Sequence, residues 1–276
     1  MDNKKRTCIQ FISCLIQNAN FKGFFTGKIY QGQAKNVCVP GLNCYSCPGA
    51  MGSCPIGSLQ NALSSYRFKF PYYVLGLLIF FGIILGRIIC GFLCPFGLLQ
   101  DILYKIPGLK KIRSFKGDRI LRKIKYIVLV VMVIILPIAV KLTPFFCKYL
   151  CPSGTVAGIL LSLTNSELFS VLGSVFMLKV SILGLIILLA WLISRPFCKY
   201  LCPLGAFYGM LNKVSIINMN VDEDKCTKCG ACKKNCIMDI DPSKELQSAE
   251  CIRCGRCAHA CPENAIKYCN LFAKDK

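Results

Sequence analysis

The chain of 276 residues is 54% hydrophobic, has a mean hydropathy of +0.53, and carries charge on only 17% of its residues. This composition excludes an ordinary soluble globule and favours membrane helices joined to a smaller polar part. The 21 cysteines are odd in number, which excludes a fully paired disulfide framework and favours metal or cofactor ligation. Much of the formal net charge of +21 flanks apolar segments, where it reflects membrane orientation, so no nucleic-acid partner is expected.

Four apolar segments are predicted to cross the lipid bilayer, at residues 6–25, 72–90, 126–142 and 171–193. The first is relatively polar and has no cleavage site after it, so it is expected to stay in the protein. Pro137 is expected to kink the third. Residues 156–163 are too few to cross and are expected to be re-entrant or interfacial.

The loops between these segments predict the orientation. Residues 105–125 are rich in lysine and arginine and contain one acid, Asp118, which marks the cytoplasmic side. Both termini then lie inside, and residues 26–70 and 143–170 lie outside. The predicted location is the cell (inner) membrane, with a transmembrane domain at 1–217 and a cytoplasmic soluble domain at 218–276.

The soluble domain carries two copies of the spacing C-x2-C-x2-C-x3-C. In this arrangement three thiolates hold one [4Fe–4S] cubane and the fourth ligates the other cluster. Zinc ribbons of similar spacing would use only two Cys-x-x-Cys pairs for each metal, and His259 is expected to be a bystander. The predicted first cluster has the ligands Cys226, Cys229, Cys232 and Cys261, and the second has Cys236, Cys251, Cys254 and Cys257.

Units of Cys-x-x-x-Cys-Pro recur beside the apolar segments. They read CGFLCPFG from Cys90, CKYLCPSG from Cys147 and CKYLCPLG from Cys198, and a shorter relative, SCPIG, contains Cys54. One such unit supplies two thiolates, so two units are needed to hold a cubane. In the four-span topology, Cys90 and Cys94 end on the same side as Cys198 and Cys202. These four are therefore the predicted ligands of a cluster at the inner face, the alternative being buried structural cysteines.

The predicted outer side has six competing thiols. Cys38, Cys44, Cys47 and Cys54 are numerous enough to hold a cluster unaided. In the alternative arrangement, Cys54 and one neighbour join Cys147 and Cys151. Disulfides at this face are a further alternative. One or two clusters are therefore predicted in the membrane domain, besides the two in the tail.

These motifs resemble the NapH-type polytopic membrane ferredoxins with their NosR and CcoG branches, over nearly the whole chain. The tail alone resembles the bacterial two-cluster ferredoxin domain, with Ile237 after Cys236 where that family usually has proline. The predicted fold is an α-helical membrane protein of about four transmembrane helices with a C-terminal α+β two-cluster ferredoxin domain. Because a Cys-Pro-x-Gly unit follows each predicted span, the membrane part is predicted to be a tandem two-helix repeat.

The expected function is single-electron relay between a cytoplasmic or membrane donor and an acceptor at the outer face, by an electron-transfer component rather than a stand-alone enzyme. The expected redox partners are ferredoxin, flavodoxin, or a flavin or haem protein at the outer face. Quinol oxidation is one alternative, although the predicted spans contain no Asp, Glu or His to accept protons. Copper reduction or metal handling by the outer thiols and Met51 is the other.

Overall fold

The computed structural model describes residues 3–65, 70–108, 111–113, 115, 117–164 and 173–270. Its first half contains α1 (Asn3–Gln17), α2 (Phe21–Thr26), a 3₁₀ turn (Gln33–Asn36), α3 (Pro55–Ser64), α4 (Tyr72–Leu85), α5 (Ile88–Phe92) and α6 (Pro95–Lys105). Then come α7 (Asp118–Leu121), α8 (Ile124–Ile127), a π-helix (Val128–Ile135), α9 (Leu136–Ala139), a π turn (Phe146–Leu150), α10 (Pro152–Thr164), α11 (Ser174–Leu192), α12 (Pro196–Tyr200) and α13 (Pro203–Leu211). The tail adds β1 (Ile217–Val221), α14 (Ala231–Lys234), α15 (Pro242–Glu245), α16 (Arg256–His259) and β2 (Ile266–Asn270).

Helix α1 has its polar side facing inward. Arg6, Gln10 and Gln17 are buried, whereas Phe11 and Ile16 are 53% and 67% exposed. Residues spaced by three and four share one face of a helix, so the polar stripe contacts the protein and the apolar stripe faces outward. The predicted first span, 6–25, is not one helix, because it is interrupted at residues 18–20 between α1 and α2.

Helix α4 ends earlier than the predicted span 72–90. Gly86 follows the helix with φ of 55° and ψ of −135°, a conformation that favours glycine. A methyl group there would lie 2.7 Å from Oδ1 of Asn212, and the backbone N–H of Arg87 donates to the same atom over 3.1 Å. The contact with Asn212 thus turns the chain into α5, which carries Cys90.

The predicted third span, 126–142, is helical from α8 through α9. Its middle, Val128–Ile135, has π-type hydrogen bonding and precedes Pro137. Proline has no N–H to donate, and its ring crowds the carbonyl of the preceding turn. Both effects disfavour ordinary i→i+4 hydrogen bonds near Pro137 and favour the wider i→i+5 pattern. Helical structure ends at Ala139, and Leu142 adopts a positive φ of 69°.

One helix among the described residues, α11, is long and apolar enough to cross a membrane. It accounts for most of the predicted fourth span, of which residues 171 and 172 lie outside the described ranges. Helices α4 and α10 are apolar but shorter. Helix α10 contains residues 156–163, the stretch predicted to be too short to cross.

Four helices begin at a proline that directly follows a cysteine. Proline is well suited to the first helical position because its missing N–H has no partner there in any case. They are α3, α6, α10 and α13, which begin at Pro55, Pro95, Pro152 and Pro203. The Cys-Pro units therefore place four cysteines at equivalent helix N-termini.

The tail packs directly on the helical part. Strands β1 and β2 form an antiparallel pair, with Met219 opposite Tyr268, over a small core of their own. However, Ile237, Met238 and Ile252 belong to the same hydrophobic core as the helices. Ile237, the departure from the usual proline, is 5% exposed, so an apolar side chain at this position serves the docking of the tail.

Candidate metal centres

Among the described residues, four cavities are each lined by at least four cysteines, and together they include every predicted ligand except Cys47. The first of these cavities, which we name the distal tail site, has a volume of about 510 Å³.

 

The cysteines of the distal tail site do not belong to the hydrophobic core that the tail shares with the helices, and Cys229 is exposed. Hydrogen bonds from the backbone N–H of Ala231 and from the Thr227 hydroxyl lower the pKa of the Cys229 thiol. The cysteines that line this cavity are Cys226, Cys229, Cys232 and Cys261. They are the four predicted for the first tail cluster.

A second, narrower cavity, the proximal tail site, lies deeper in the tail. Burial raises the pKa of the Cys251 thiol to about 12, and Cys254 and Cys257 are also buried. The cysteines that line it are Cys236, Cys251, Cys254 and Cys257. They are the four predicted for the second tail cluster.

A third cavity, the central site, is enclosed by the helical part. Its cysteines come from two Cys-x-x-x-Cys units that are far apart in sequence, one before α6 and one before α13. The Nε2 atom of Gln100 donates to Sγ of Cys198 over 3.1 Å. The cysteines that line the cavity, all buried, are Cys90, Cys94, Cys198 and Cys202. The structure thus brings together the pairs predicted for the inner-face cluster.

The fourth and largest cavity, the loop site, has a volume of about 830 Å³. Its cysteines are Cys38, Cys44, Cys54, Cys147 and Cys151. Cys147, Cys44 and Cys54 are among the thiols that lie near Cys151. Cys38 instead donates to the Ser58 hydroxyl over 3.6 Å. This grouping corresponds to the alternative in which Cys54 and a neighbour join Cys147 and Cys151.

Cys47 lies apart from the loop cavity. Its Sγ atom is 3.9 Å from Oδ1 of Asn18, and Nδ2 of the same residue is 4.0 Å from Sγ of Cys14. The predicted set Cys38, Cys44, Cys47 and Cys54 therefore does not line one common cavity, because Cys47 is outside it.

The thiols in these cavities suit a cluster with one thiolate for each iron. Within the described ranges, no three His, Cys, Asp or Glu side chains converge on a single ion site. Each cavity instead has thiols distributed around it, four in each tail site and in the central site and five in the loop site, and in every case they come from two parts of the chain.

The glycine of each Cys-Pro-x-Gly unit faces the cysteine that precedes the helix. The backbone N–H of Gly205 donates to Sγ of Cys202 over 3.3 Å. Gly57, Gly97 and Gly154 make the corresponding backbone contact with Cys54, Cys94 and Cys151. At Gly97 a methyl group would lie 3.0 Å from the Cys90 carbonyl oxygen, so space as well as hydrogen bonding favours glycine.

Buried cations surround the central site. Arg195 donates to the Cys90 carbonyl over 2.7 Å and forms an ion pair with Asp101, also at 2.7 Å. Arg87 donates to the Cys198 carbonyl over 3.2 Å. Both guanidinium groups are fully buried. Water therefore screens little of their positive charge from a group bound by the four thiolates. Sequence reasoning did not identify these arginines as part of the site, although Arg87 was visible as the lone charge in an apolar segment.

The proximal tail site abuts the central site. A methyl group at Gly91, between Cys90 and Cys94, would lie 3.0 Å from the Ile252 carbonyl oxygen and 3.8 Å from Cα of Cys254. The ligand-bearing loop of the tail therefore packs against the chain between two cysteines of the central site.

Ion pairs fix this contact between the tail and the helices. Glu250 lies 2.5 Å from Lys125 and 3.4 Å from Arg87, and Asp239 forms an ion pair with Lys199. Burial alone would raise the pKa of the Glu250 carboxyl, but the Arg87 and Lys125 cations outweigh it and lower the pKa below 4.5. The basic segment predicted to face the cytoplasm is thus partly covered by the tail.

The central and loop sites are also neighbours, which the sequence did not predict. Leu42 lines both cavities, and the segment around it packs against Cys94. One side chain therefore lies between the site predicted at the inner face and the site predicted at the outer side. The physical reason is that part of the supposedly external segment 26–70 folds inward between the helices.

Comparisons with known proteins agree with the cysteine pattern. A family model described as a 4Fe-4S binding domain matches residues 70–114, 124–165 and 175–220, and each match contains one Cys-x-x-x-Cys-Pro unit. A second model with the same description matches residues 246–267 in the tail.

Several curated proteins are similar to the chain. An uncharacterized protein of Methanocaldococcus jannaschii is 30% identical over 196 residues, which cover 70% of this chain and 76% of that protein. The ferredoxin-type protein NapH of Haemophilus influenzae is 24% identical, over 71% of this chain and 67% of the relative. The putative electron transport protein YccM of Escherichia coli is 27% identical, over 65% of this chain and 50% of the relative. No solved structure has significant similarity to the chain.

Proposed function

Because the chain belongs to the family of ferredoxin-type 4Fe-4S proteins that includes NapH, we propose that it is a membrane-bound electron carrier with four [4Fe–4S] clusters. Iron–sulfur clusters supply one-electron transfer, with potentials that depend on charge, hydrogen bonding and solvent exposure. The observation that carries the proposal is the series of four cysteine-lined cavities. In this series the proximal tail site contacts the central site, and the central site contacts the loop site.

The proposed ligands follow the four cavities. The two tail clusters have the ligands named from the sequence, and the central cluster is held by Cys90, Cys94, Cys198 and Cys202. For the loop cluster we propose Cys44, Cys54, Cys147 and Cys151, with Cys38 and Cys47 outside the ligand set. This choice rests on the thiols that neighbour Cys151 and on the hydrogen bond from Cys38 to Ser58.

The order of the cavities gives the proposed route. The exposed distal tail site exchanges electrons with a soluble partner, and the proximal tail and central sites carry them to the loop site. The direction of electron flow depends on the reduction potentials of the two partners and not on the route itself. The volume of the loop cavity suits it for the approach of a terminal acceptor beside the cluster.

Lipid is the proposed surrounding of the helical part. Apolar side chains on its surface are well exposed, among them Phe80 at 59%, Ile127 at 60% and Leu185 at 56%. Water would not stabilise such a surface, whereas a bilayer would. We retain four membrane-crossing segments and a cytoplasmic tail as part of the proposal, with the first segment beginning in α1.

The test is the iron and acid-labile sulfide content of anaerobically purified protein, with EPR of the dithionite-reduced state. Four clusters require about sixteen irons per chain, and a tail-only protein would hold about eight. The variant Cys198→Ser should lose about four irons and keep the tail signals. Cys8→Ser, at an exposed thiol outside all four cavities, is the matched control and should lose none. A content of about eight in the wild type would overturn the proposal of clusters in the membrane domain.

A further inference from the structure

The segment Pro40–Asn43 separates the central and loop sites. Leu42 is 2% exposed, and among the residues that the structure describes it alone lines both cavities. Its neighbour Gly41 lines the central cavity as well. The segment is therefore the partition between two groups of cysteines.

Successive backbone amides of this segment contact opposite sites. The backbone N–H of Leu42 faces the Cys94 thiol, and that of Asn43 faces the Cys54 thiol. The close packing depends on Gly41, where a methyl group would lie 3.1 Å from Cα of Cys94 and 3.3 Å from the Leu93 carbonyl oxygen. Two successive peptide units, joined at Cα of Leu42, thus lie between a thiol of the central site and a thiol of the loop site.

Tyr208 holds the segment from the other side. Its hydroxyl donates to the Pro40 carbonyl over 3.1 Å, and its ring is fully buried. The segment consequently has a fixed position, with a side chain that excludes water and a backbone that contacts both cysteine groups.

We propose that Pro40–Asn43 is the electronic bridge between the central and loop clusters, with Leu42 and Tyr208 as positioning residues. This inference rests on the proposed function, since it requires both clusters. The bridge sets both potentials at once, because each amide contacts one cluster ligand and the Leu42 side chain shields both clusters from water.

The test compares two leucines in the full-length protein, Leu42 and Leu204. Both are 2% exposed, but Leu204 lines the central cavity and not the loop cavity. Truncation admits water, which stabilises the more negatively charged reduced cluster and raises its potential. An EPR-monitored redox titration should therefore show two raised midpoints in the membrane domain for Leu42→Ala and one for Leu204→Ala.

Iron content separates the two possible failures. Wild type with about eight irons would refute the proposed function, and the bridge with it. Wild type with about sixteen irons, and Leu42→Ala with the same content but fewer than two shifted midpoints, would refute the bridge alone. If Leu42→Ala loses iron, the bridge is tested with Tyr208→Phe instead, because that variant removes only the hydroxyl that donates to the Pro40 carbonyl. It should shift both membrane-domain midpoints and leave both tail midpoints unchanged, and a shift of one or none would overturn the bridge.

Discussion

The carboxylate of Glu250 lies 2.5 Å from the ammonium group of Lys125, so the residue directly before Cys251 is tied to the helical part. Arg87 and Arg122 also approach this carboxylate, at 3.4 and 3.7 Å. The tail is therefore docked by one acid among three cations that are largely removed from water.

Replacing that acid should loosen the tail. Glu250→Gln leaves buried cations without their partner, and breaking a buried pair of this kind costs about 3 kcal/mol. Limited proteolysis should cut the variant faster between the helices and the tail, and its thermal midpoint should fall. Glu245→Gln, an exposed position in α15, is the control and should behave like wild type. Equal proteolysis of all three proteins would contradict the docking role.

The docking contact also has a predicted pH dependence. The pKa of Glu250 is lower in the folded protein than its usual 4.5, so its contribution to stability is fully present above that value. It is lost as the pH falls through the lowered pKa and the carboxylate becomes protonated. Proteolysis of the wild type with an acid-active protease should therefore rise in that range, while Glu250→Gln should be cut rapidly at every pH. A wild-type profile parallel to that of the variant would contradict this linkage.

Two nearby cysteines, Cys44 and Cys47, distinguish the possible ligand sets of the loop site. Cys44→Ser should remove about four irons, because Cys44 is a proposed ligand of one complete cluster. Cys47→Ser should remove none, since Cys47 contacts Asn18 outside the cavity. Iron and sulfide assays on the two variants check both statements. Loss of iron in both variants would favour the set Cys38, Cys44, Cys47 and Cys54, and loss in Cys47→Ser alone would favour Cys47 as the neighbour that joins Cys54, Cys147 and Cys151.

The exposed lysines beside the distal tail site should accelerate association with an acidic partner. Lys225 and Lys228 are exposed and directly precede Cys226 and Cys229 of that site. Lys228→Glu should reduce the rate of electron exchange with reduced flavodoxin by about tenfold at low salt, because charge complementarity acts mainly on association. The difference should shrink as ionic strength rises. Lys22→Glu on α2 has the same change of charge in the helical part and should have little effect; an equal loss of rate there would contradict local docking.

The sequence predicted the composition of the cysteine groups better than their arrangement. The tail spacing predicts two sets of four, and equivalent Cys-Pro units predict that the pairs at Cys90 and Cys198 meet, because a motif fixes local geometry. The inward path of Gly41 and Leu42 depends on packing against Cys94 from a distant segment, which no periodicity in residues 26–54 indicates. Helix ends were missed for a similar reason: the break at Gly86 depends on Asn212, which is remote in sequence.

Relay across the membrane is most directly tested in sealed vesicles that contain the protein with its tail outward and ferricyanide enclosed. Reduced flavodoxin added outside should reduce the enclosed ferricyanide through wild-type protein. Cys198→Ser should abolish this while its tail clusters still become reduced, because the route is broken at the central site. Enclosed ferricyanide reduced as fast by Cys198→Ser as by wild type would contradict the relay.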